Sequence, residues 1–565
     1  MKEKIFAITF LFYFQLSIYG QEIIDKYNLK FENSLKESPW IPILDDFKYE
    51  IDSTNKYEGK RALHFSRTYL RKEFNLNVNQ TIVLPKIAKE IEVSICANNE
   101  QLSFALLKIT GLDKKRRAID CDSISLIEGG GWQKFVSKIT SEFGFELLII
   151  EIVAKESFKD KKKQVDLWID NLNVNLDTKD IYDYSIPITN DYQQNISNNI
   201  SLTPLLEIPT NNIESTNANI YGFGESVHGS KEIAKSIFNN IRNLICIQNC
   251  RLVLLEIPID IGIRINQYIQ DDAFNEDIKG IISGYHIDNI EFYSFLDWVK
   301  RFNLKSENKV YIFGFDNYSS YSPRHIKNFI SERRTNLKET DTLLSMINSN
   351  NYRSIPLRYL EKNKNLFLPS FGTKSYLTLL QCLKIRTDSL CRLIPLFQSF
   401  DWHEINRDFL LWQNVKFALD NLKDNKSTVA IYSHLAHLNK KTPIFLTSIK
   451  SLGQYIDNYY GCNYFLIGLF IGEGTITTFT GKKNMVLQEI GSPDLRSIEY
   501  VCSLASMDNF YKILPLQTTP ILNRSVTGYY NRFREFTAAF QEENMNALIF
   551  IRKSSGATII PPMQK

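Results

Sequence analysis

Histidine is scarce in this chain, seven among 565 residues, so an imidazole inside a structured motif carries unusual weight. Cysteine is scarce too. Eight cysteines in so long a chain do not make a disulfide framework. Cys246 and Cys250, four apart on a helical pattern, would face the same way, and Cys382 and Cys391 would pair only if the fold brought them close. Neither sign of charge dominates. With 67 basic and 63 acidic residues and a net charge of +4, no strong field favours nucleic acid as a partner. Beyond the N-terminus there is no apolar run of about 18 residues, so membrane insertion has no sequence basis there, and an uncleaved N-terminal anchor is the one alternative. No Gly-x-Ser-x-Gly elbow precedes a helix, so chemistry through a serine acyl-enzyme is not expected.

The length exceeds what one core usually holds, and the 44% apolar fraction is that of a globular protein, so two folded domains are expected. Lys2 and Lys4 precede the apolar stretch from Ile5 to Ile18, and Gly20 stands before Gln21. Residues 1–20 thus read as a signal peptide, and the mature chain as secreted or periplasmic. From 30 to 177 the apolar period is two, as at Ile91, Val93, Ile95 and Ala97, and at Val165, Leu167 and Ile169. The phase slips at Asp170-Asn171 before Leu172, Val174 and Leu176 resume, which predicts a bulge in a final strand. This section reads as a β-sandwich. Trp40, Tyr69, Trp132 and Trp168 are candidates for sugar contact or, more simply, for its core. The basic runs 113–117 and 159–163 read as solvated hairpin loops.

Residues 178–214 are polar and without apolar periodicity, so they read as the linker. The pattern that follows alternates strands with helices. The fold class is therefore α/β: a mostly parallel sheet flanked by helices, with a helical insertion at about 320–405, preceded by an all-β jelly-roll-like sandwich. The insertion holds His325 and His403, which belong to no motif.

Candidate chemistry collects at strand ends. The run from Asn219 to Phe223 leads into Gly224-Glu225-Ser226-Val227-His228-Gly229, placing a carboxylate and an imidazole on one strand-to-helix turn. Arg251 to Leu255 reads as a buried strand ending on Glu256, and with the helix before it makes a βαβ unit. Lys309 to Phe315 ends on Asp316, and Thr428 to Ser433 leads into His434 and His437. In a mostly parallel sheet these ends share one side, where Glu225, His228, Glu256, Asp316, His434 and His437 can converge in one crevice. Arg407, beside Asp408 at a helix start, either caps that helix or reaches the same crevice.

Six segments in order, GESVHGSKE, RLVLLE, YIFGFD, RDFLLWQNVKFAL, YSHLAHLNKKTP and SLGQYIDNYYGCNYFLIGLFIGEG, resemble the erythromycin esterase family over roughly residues 215–480. The resemblance implies a hydrolase domain over 215–565. In it His228 is the general base on water, Glu225 and Glu256 match the family's two functional glutamates, and His434 and His437 match its paired histidines. One departure stands out. The family places an arginine nine residues after the first histidine, where this chain has Ile237, and Lys235 is a poor substitute for a planar guanidinium. Leu167-Trp168-Ile169-Asp170-Asn171-Leu172 resembles the closing strand of jelly-roll carbohydrate-binding modules.

These expectations favour an exported esterase that needs no cofactor and acts on a small-molecule or glycan ester, an acylated glycan or a secondary metabolite. A carboxylate beside His228 would hold its tautomer, while His434 or His437 donates to the oxyanion or the leaving group. Two alternatives use the same residues: a hydrolase whose histidines and glutamates bind a divalent metal, and a catalytically silent binding protein, suggested by Ile237.

Overall fold

The computed structural model describes residues 27–32, 40–42, 47–67, 73–113, 118–157, 165–184, 218–271, 274–316, 323–333, 338–348, 354–387, 407–441, 450–480, 484–490, 493, 497–505, 507–513, 522–527, 534–539 and 542–559. The signal segment, Tyr69, His403, Cys391 and most of both basic runs lie outside these residues.

The N-terminal sheet comprises β1 (Ile41–Pro42), β2 (Phe47–Asp52), β3 (Ala62–Arg67), β4 (Glu73–Glu100), β5 (Phe104–Leu112), β6 (Ala118–Ser125), β7 (Gln133–Ser157), β8 (Asp166–Leu176) and β9 (Lys179–Asp180), in the order β2-β3-β8-β4-β7-β5-β6. All pairs are antiparallel. β4 and β7 pair from Glu73 opposite Ser157 to Ala97 opposite Gln133, with register shifts between Val83 and Glu90. Bulges bend strands. The first half of this long hairpin continues through β7 to β5, and its second half through β4 to β8, which gives a two-layered sandwich. Alternating side chains such as Val78, Ile95, Leu107, Ile150 and Leu167 meet in one core. The expected bulge is present: Asp170 and Asn173 of β8 oppose Cys96 and Ser94 of β4, so Asn171 and Leu172 stand against Ile95 alone, with Asn171 at φ 46°.

Trp40 is core, and Trp168 stacks on His64 with ring centroids 4.5 Å apart. Trp132 is only partly buried and lies 5.9 Å from the exposed Tyr57 ring. The sandwich runs further than residue 177. Ile181 enters its core and the Tyr184 hydroxyl donates to Leu176 O at 3.0 Å, so residues 178–184 are not linker. Residues 185–217 lie outside the described set.

The second sheet and its helices are built by β10 (Ile220–Glu225), α1 (Lys231–Ile247), β11 (Cys250–Pro258), α2 (Ile259–Gln270), α3 (Ile278–Ile282), α4 (Ile290–Lys305), β12 (Tyr311–Asp316), α5 (Pro323–Glu332), α6 (Lys338–Asn348), α7 (Ile355–Lys362), α8 (Lys364–Phe371), α9 (Thr373–Thr387), α10 (Arg407–Asn421), β13 (Thr428–His434), α11 (Leu435–Leu438), α12 (Leu452–Tyr460), β14 (Tyr464–Thr480), β15 (Asn484–Ile490), α13 (Ile498–Ser503) and β16 (Asn509–Ile513). Next come β17 (Leu522–Thr527) and β18 (Arg534–Ala539), which form a separate hairpin, and β19 (Ala547–Ser554), which returns to the sheet. The order is β12-β11-β13-β10-β14-β19-β16, and the six strands from β12 to β19 are parallel. One detail differs from expectation. β10 and β11 are not neighbours, because β13 enters between them after the helical insertion. Strand sequence alone cannot place a late strand, since its partners are set by tertiary packing. The strands are apolar on both faces, as covered parallel strands must be, and two clusters, one on each side, make the core.

Cys246 is exposed on α1 while Cys250 is buried on β11, so the helical pairing of these thiols is not formed. The described cysteines are all free. No helix among the described residues is long and apolar enough to cross a membrane. The insertion helices α5–α9 contribute to the core beside α2 and β12, where Tyr311 and Thr378 hydroxyls meet at 2.9 Å. His325, on α5, holds Asp260 of α2 at 2.9 Å.

Arg264, fully buried on α2, joins three segments. It donates to both Glu332 oxygens at 2.8 and 2.9 Å, and its Nη2 lies 2.7 Å from Glu276. Removing one partner of a buried ionic cluster costs about 3–5 kcal/mol, less when the others can turn to water. Both glutamates are partly exposed, so Arg264→Ala is expected to lower urea-unfolding stability by about 3 kcal/mol. A loss below about 1 kcal/mol would contradict this view of the cluster.

Candidate functional site

Four adjacent parallel strands, β12, β11, β13 and β10, bring Asp316, Glu256, His434 and Glu225 to one edge of the sheet. Glu225 is the register partner of His434. On β11 the register against β12 shifts between Leu255 and Pro258, so a bulge falls at Glu256-Ile257. Bulges re-aim side chains, and this one turns Glu256 toward the β13 tip, where it accepts from Ser433 Oγ at 2.6 Å and from the His434 amide at 3.1 Å.

After Glu225 the chain turns through His228 and Gly229 into α1. Gly229 has φ +82°, and a Cβ there would stand 2.0 Å from Thr477 O, so only glycine fits. Its carbonyl accepts from Thr477 N at 3.0 Å and Ala557 N at 2.8 Å, and Ser230 caps α1 through the amide of Ile233 at 3.2 Å. This fixed turn sets His228 Nδ1 2.6 Å from Glu225 Oε1. Glu225 also accepts from the Tyr432 phenol, whose pKa is pushed well above its ordinary value by burial and by that carboxylate. Burial lowers the His228 pKa, but the charge and hydrogen bond of Glu225, with Glu256 behind it, outweigh burial and raise it above 6.5. Nδ1 therefore holds a proton against Glu225, and Nε2 is the nitrogen free to take one.

Arg407 begins α10, a helix tied to β12 by Asn414 Nδ2 donating to Phe315 O at 2.9 Å. Its guanidinium enters the crevice. Nη2 donates to Glu256 at 2.7 Å and to Asp316 at 3.0 Å, Nε lies 3.3 Å from Asp316, and Nη1 is 2.8 Å from His437 Nε2. His437 Nδ1 is 2.8 Å from Asp408, whose other oxygen accepts from the Leu452 amide at 2.8 Å. Asp408 thus orients a site imidazole and the start of α12 rather than its own helix end. Burial opposes charge on His437, and Arg407 does too, while Asp408 and Glu256 raise its pKa. The guanidinium at Nε2 makes that nitrogen an acceptor in this arrangement. Glu256 is held well below the ordinary carboxylate range by His437 and Arg407 despite its burial.

His434 differs from its neighbours. Its Nδ1 accepts from the Ala436 amide at 3.2 Å, capping the short α11, so the neutral ring carries its proton on Nε2. Burial, with His228 and His437 nearby, drives its pKa well below 6.5. The His228 and His434 rings meet edge to face at 4.9 Å.

The structure therefore brings Glu225, His228, Glu256, Asp316, Arg407, His434 and His437 together. Lys235 is not with them: it is exposed on the outer face of α1, and Ile237 is buried in the core. Two residues on a helix stand about 200° apart around its axis, which puts these side chains on opposite faces. A fourth imidazole escaped the sequence reading. His286, between α3 and α4, lies 4.7 Å from His228 and 5.9 Å from Tyr432. It sits in a short aperiodic connection, where no pattern marks it. Burial and the nearby His228 lower its pKa to about 4. Glu225, His228 and His286 each place one ligating atom within 4.8 Å of the others, a set that excludes His434, His437 and Glu256.

No curated protein matches the sequence at significance. Among solved structures, a succinoglycan biosynthesis protein is similar with a TM-score of 0.51 at 17% identity, over 67% of this chain and 100% of that one. An erythromycin esterase mutant in its open conformation aligns with a TM-score of 0.44 at 15% identity, over 60% of this chain and 92% of that one. A carbohydrate-binding module in complex with β-1,4-galactotriose aligns with a TM-score of 0.20 at 17% identity, over 26% of this chain and 95% of that one. The erythromycin esterase family model matches residues 390–554, which hold Arg407, Asp408, His434 and His437. The similarity to the erythromycin esterase family model thus covers residues 390–554 of the chain.

Proposed function

We propose that the chain is an exported ester hydrolase in which His228 is the general base on water, within a domain spanning about residues 215–565. The observation that carries this reading is the 2.6 Å contact of His228 with Glu225 at a strand-tip crevice whose cation, Arg407, is held by two carboxylates. His228 and Arg407 side chains are 15% and 27% exposed while Glu225 and Glu256 are nearly closed off, so a substrate meets the imidazole and the guanidinium first.

Water loses a proton to His228 Nε2 as its oxygen bonds to the ester carbon, and the carbonyl electron pair moves onto oxygen. The partly exposed Arg407 guanidinium receives that oxyanion, with the neutral His434 behind it. The intermediate then collapses, the bond to the leaving oxygen breaks, and the proton on His228 passes to the alkoxide. Arg407 takes the part that Ile237 cannot, and His437, held by Asp408, fixes its direction. This argues against a silent binding protein. The sandwich, with Tyr57 and Trp132 paired near its surface, suits an acylated glycan as substrate.

A divalent ion at Glu225, His228 and His286 is the second reading, favoured by their mutual approach. Zinc needs ligand atoms about 2.0–2.2 Å from itself, and a direct 2.6 Å hydrogen bond between two of the three is the geometry of an acid/base pair instead. Dialysis against a chelator is accordingly expected to leave turnover unchanged. Loss of activity restored by stoichiometric zinc would reverse the order of the two readings.

On a panel of activated acyl esters including acetyl and succinyl, the protein from Gln21 onward should turn over at least one. His228→Ala should then lose about 10²–10⁴-fold in kcat with an unchanged unfolding midpoint. Equal rates would rule out His228 as the base.

The base must be neutral to act, and its pKa is raised, so the rate should climb with pH through a value above 6.5. Glu225→Gln removes the charge that raises it and leaves burial to lower it. The acid limb of kcat/KM should move to lower pH, and kcat should fall as the imidazolium loses its counter-ion. A limb that stays in place would assign it to another group.

A further inference from the structure

The carboxyl edge of the sheet carries a second imidazole–carboxylate pair, and the mechanism above leaves it without a task. His325 Nδ1 lies 2.9 Å from Asp260 Oδ2, with the two side chains 18% and 2% exposed. The pair of His228 and Glu225 has the same build, at 2.6 Å with 15% and 2% exposure. In each, a closed carboxylate holds one ring nitrogen while the ring itself reaches solvent. The Nε2 of His325 is not enclosed, unlike those of His286 and His434.

Topology sets the second pair beside the crevice. β11 and β12 are parallel, so the helices that follow them, α2 and α5, start at the edge where Glu256 and Asp316 stand. Asp260 is in the first turn of α2, two residues past Pro258, which is the register partner of Asp316. Steps of about 3.8 Å along the chain and about 4.8 Å between strands put the Cα atoms of Asp260 and Asp316 no more than about 12 Å apart. Asp316 in turn holds Arg407 at 3.0 Å, so a ligand of a few sugar rings seated on Arg407 can reach His325. Tying α5 to α2 does not require this pair, because Arg264 already joins the two helices through Glu332 at 2.8 and 2.9 Å.

We infer that His325 is a substrate-binding residue that accepts a hydroxyl hydrogen from the alcohol portion of the ester, so that the site takes esters of polyhydroxylated alcohols such as sugars. The inference rests on the hydrolase reading of the site. In the neutral ring Asp260 accepts the Nδ1 proton, which leaves Nε2 with a lone pair and no hydrogen. Such a nitrogen pairs with an O–H donor and gains nothing from an ester or ether oxygen. An acetyl group offers no O–H, whereas every unacylated position of a sugar does. Discrimination of this kind belongs to pocket walls rather than to the reacting groups.

The test compares the protein with its His325→Ala variant on acetylated glucose and on cyclohexyl acetate, which carry one acyl group on a ring alcohol with and without further hydroxyls. Loss of one neutral hydrogen bond is worth about 3- to 10-fold, so kcat/KM for acetylated glucose should fall by about that factor, through KM. Cyclohexyl acetate should be hydrolysed as before, which also reports that the variant is folded. His325→Gln, whose amide oxygen can accept at the Nε2 position, should recover part of the loss. Equal losses on both esters, no loss on either, or a loss confined to kcat would each overturn the inference and leave the hydrolase reading standing. So would a wild type that takes neither ester while hydrolysing others of the acyl panel. A wild type that hydrolyses none ends the hydrolase reading, and the inference with it.

Discussion

The guanidinium of Arg407 is the interaction on which the site depends. Glu225, Glu256, Asp316 and Asp408 crowd one edge of the sheet, and Glu256 and Asp316 share that single cation at 2.7 and 3.0 Å. Two like charges a few ångströms apart repel by several kcal/mol at the effective dielectric of a partly closed site, so one carboxylate would take up a proton if the cation left. With Arg407 in place Glu256 stays ionised, and an ionised Glu256 has lone pairs for Ser433 and the His434 amide. The β13 tip is therefore fixed electrostatically as well as by its ladder. Through Nη1 the same guanidinium sets His437, whose Asp408 partner anchors the start of α12.

That the cation comes from residue 407 rather than from α1 was only half legible. The sequence shows Ile237 in an apolar stripe with Ile233 and Ile241, which already places it in the core. It shows Arg407 at a helix start, where capping and reaching into a crevice look alike. What decides between them is Asn414, one side chain two turns away, which pins α10 to the end of β12. Strand tips were the readable part, because an apolar run that ends on Glu256 or Asp316 announces its own boundary. The bulge at Asn171 was readable for the same reason, as a break in a strict period of two. Strand order was not, because β13 enters between β10 and β11 from far downstream in the chain. His286 was not, because it sits in a short connection between two helices where no periodic pattern marks it.

The far end of the chain acts as a strap. The Ala557 amide binds Gly229 O, the Lys231 amide binds Ser555 O, Ser555 hydrogen-bonds Glu232, and Thr558 O receives the Ile290 amide. One short segment therefore holds both the turn that presents His228 and the helix start beside His286. The two rings belong to separate loops distant in sequence, and their 4.7 Å approach is a property of the closed domain rather than of either loop.

Three of the four imidazoles around the crevice, His228, His434 and His286, show how one side-chain type is sorted into different environments. His228 faces a buried carboxylate through Nδ1, which favours its charged form and gives Nε2 affinity for a proton. His434 spends its Nδ1 lone pair on a backbone amide and is surrounded by other rings, so it stays neutral and offers only N–H. At His286 burial and the neighbouring His228 outweigh the pull of Glu256 and Glu225, and the ring stays uncharged. Environments that push titratable groups apart assign the acid and base roles, and here the separation follows from a single carboxylate and a single amide. Exchanging those two partners would exchange the roles of the rings without moving either ring.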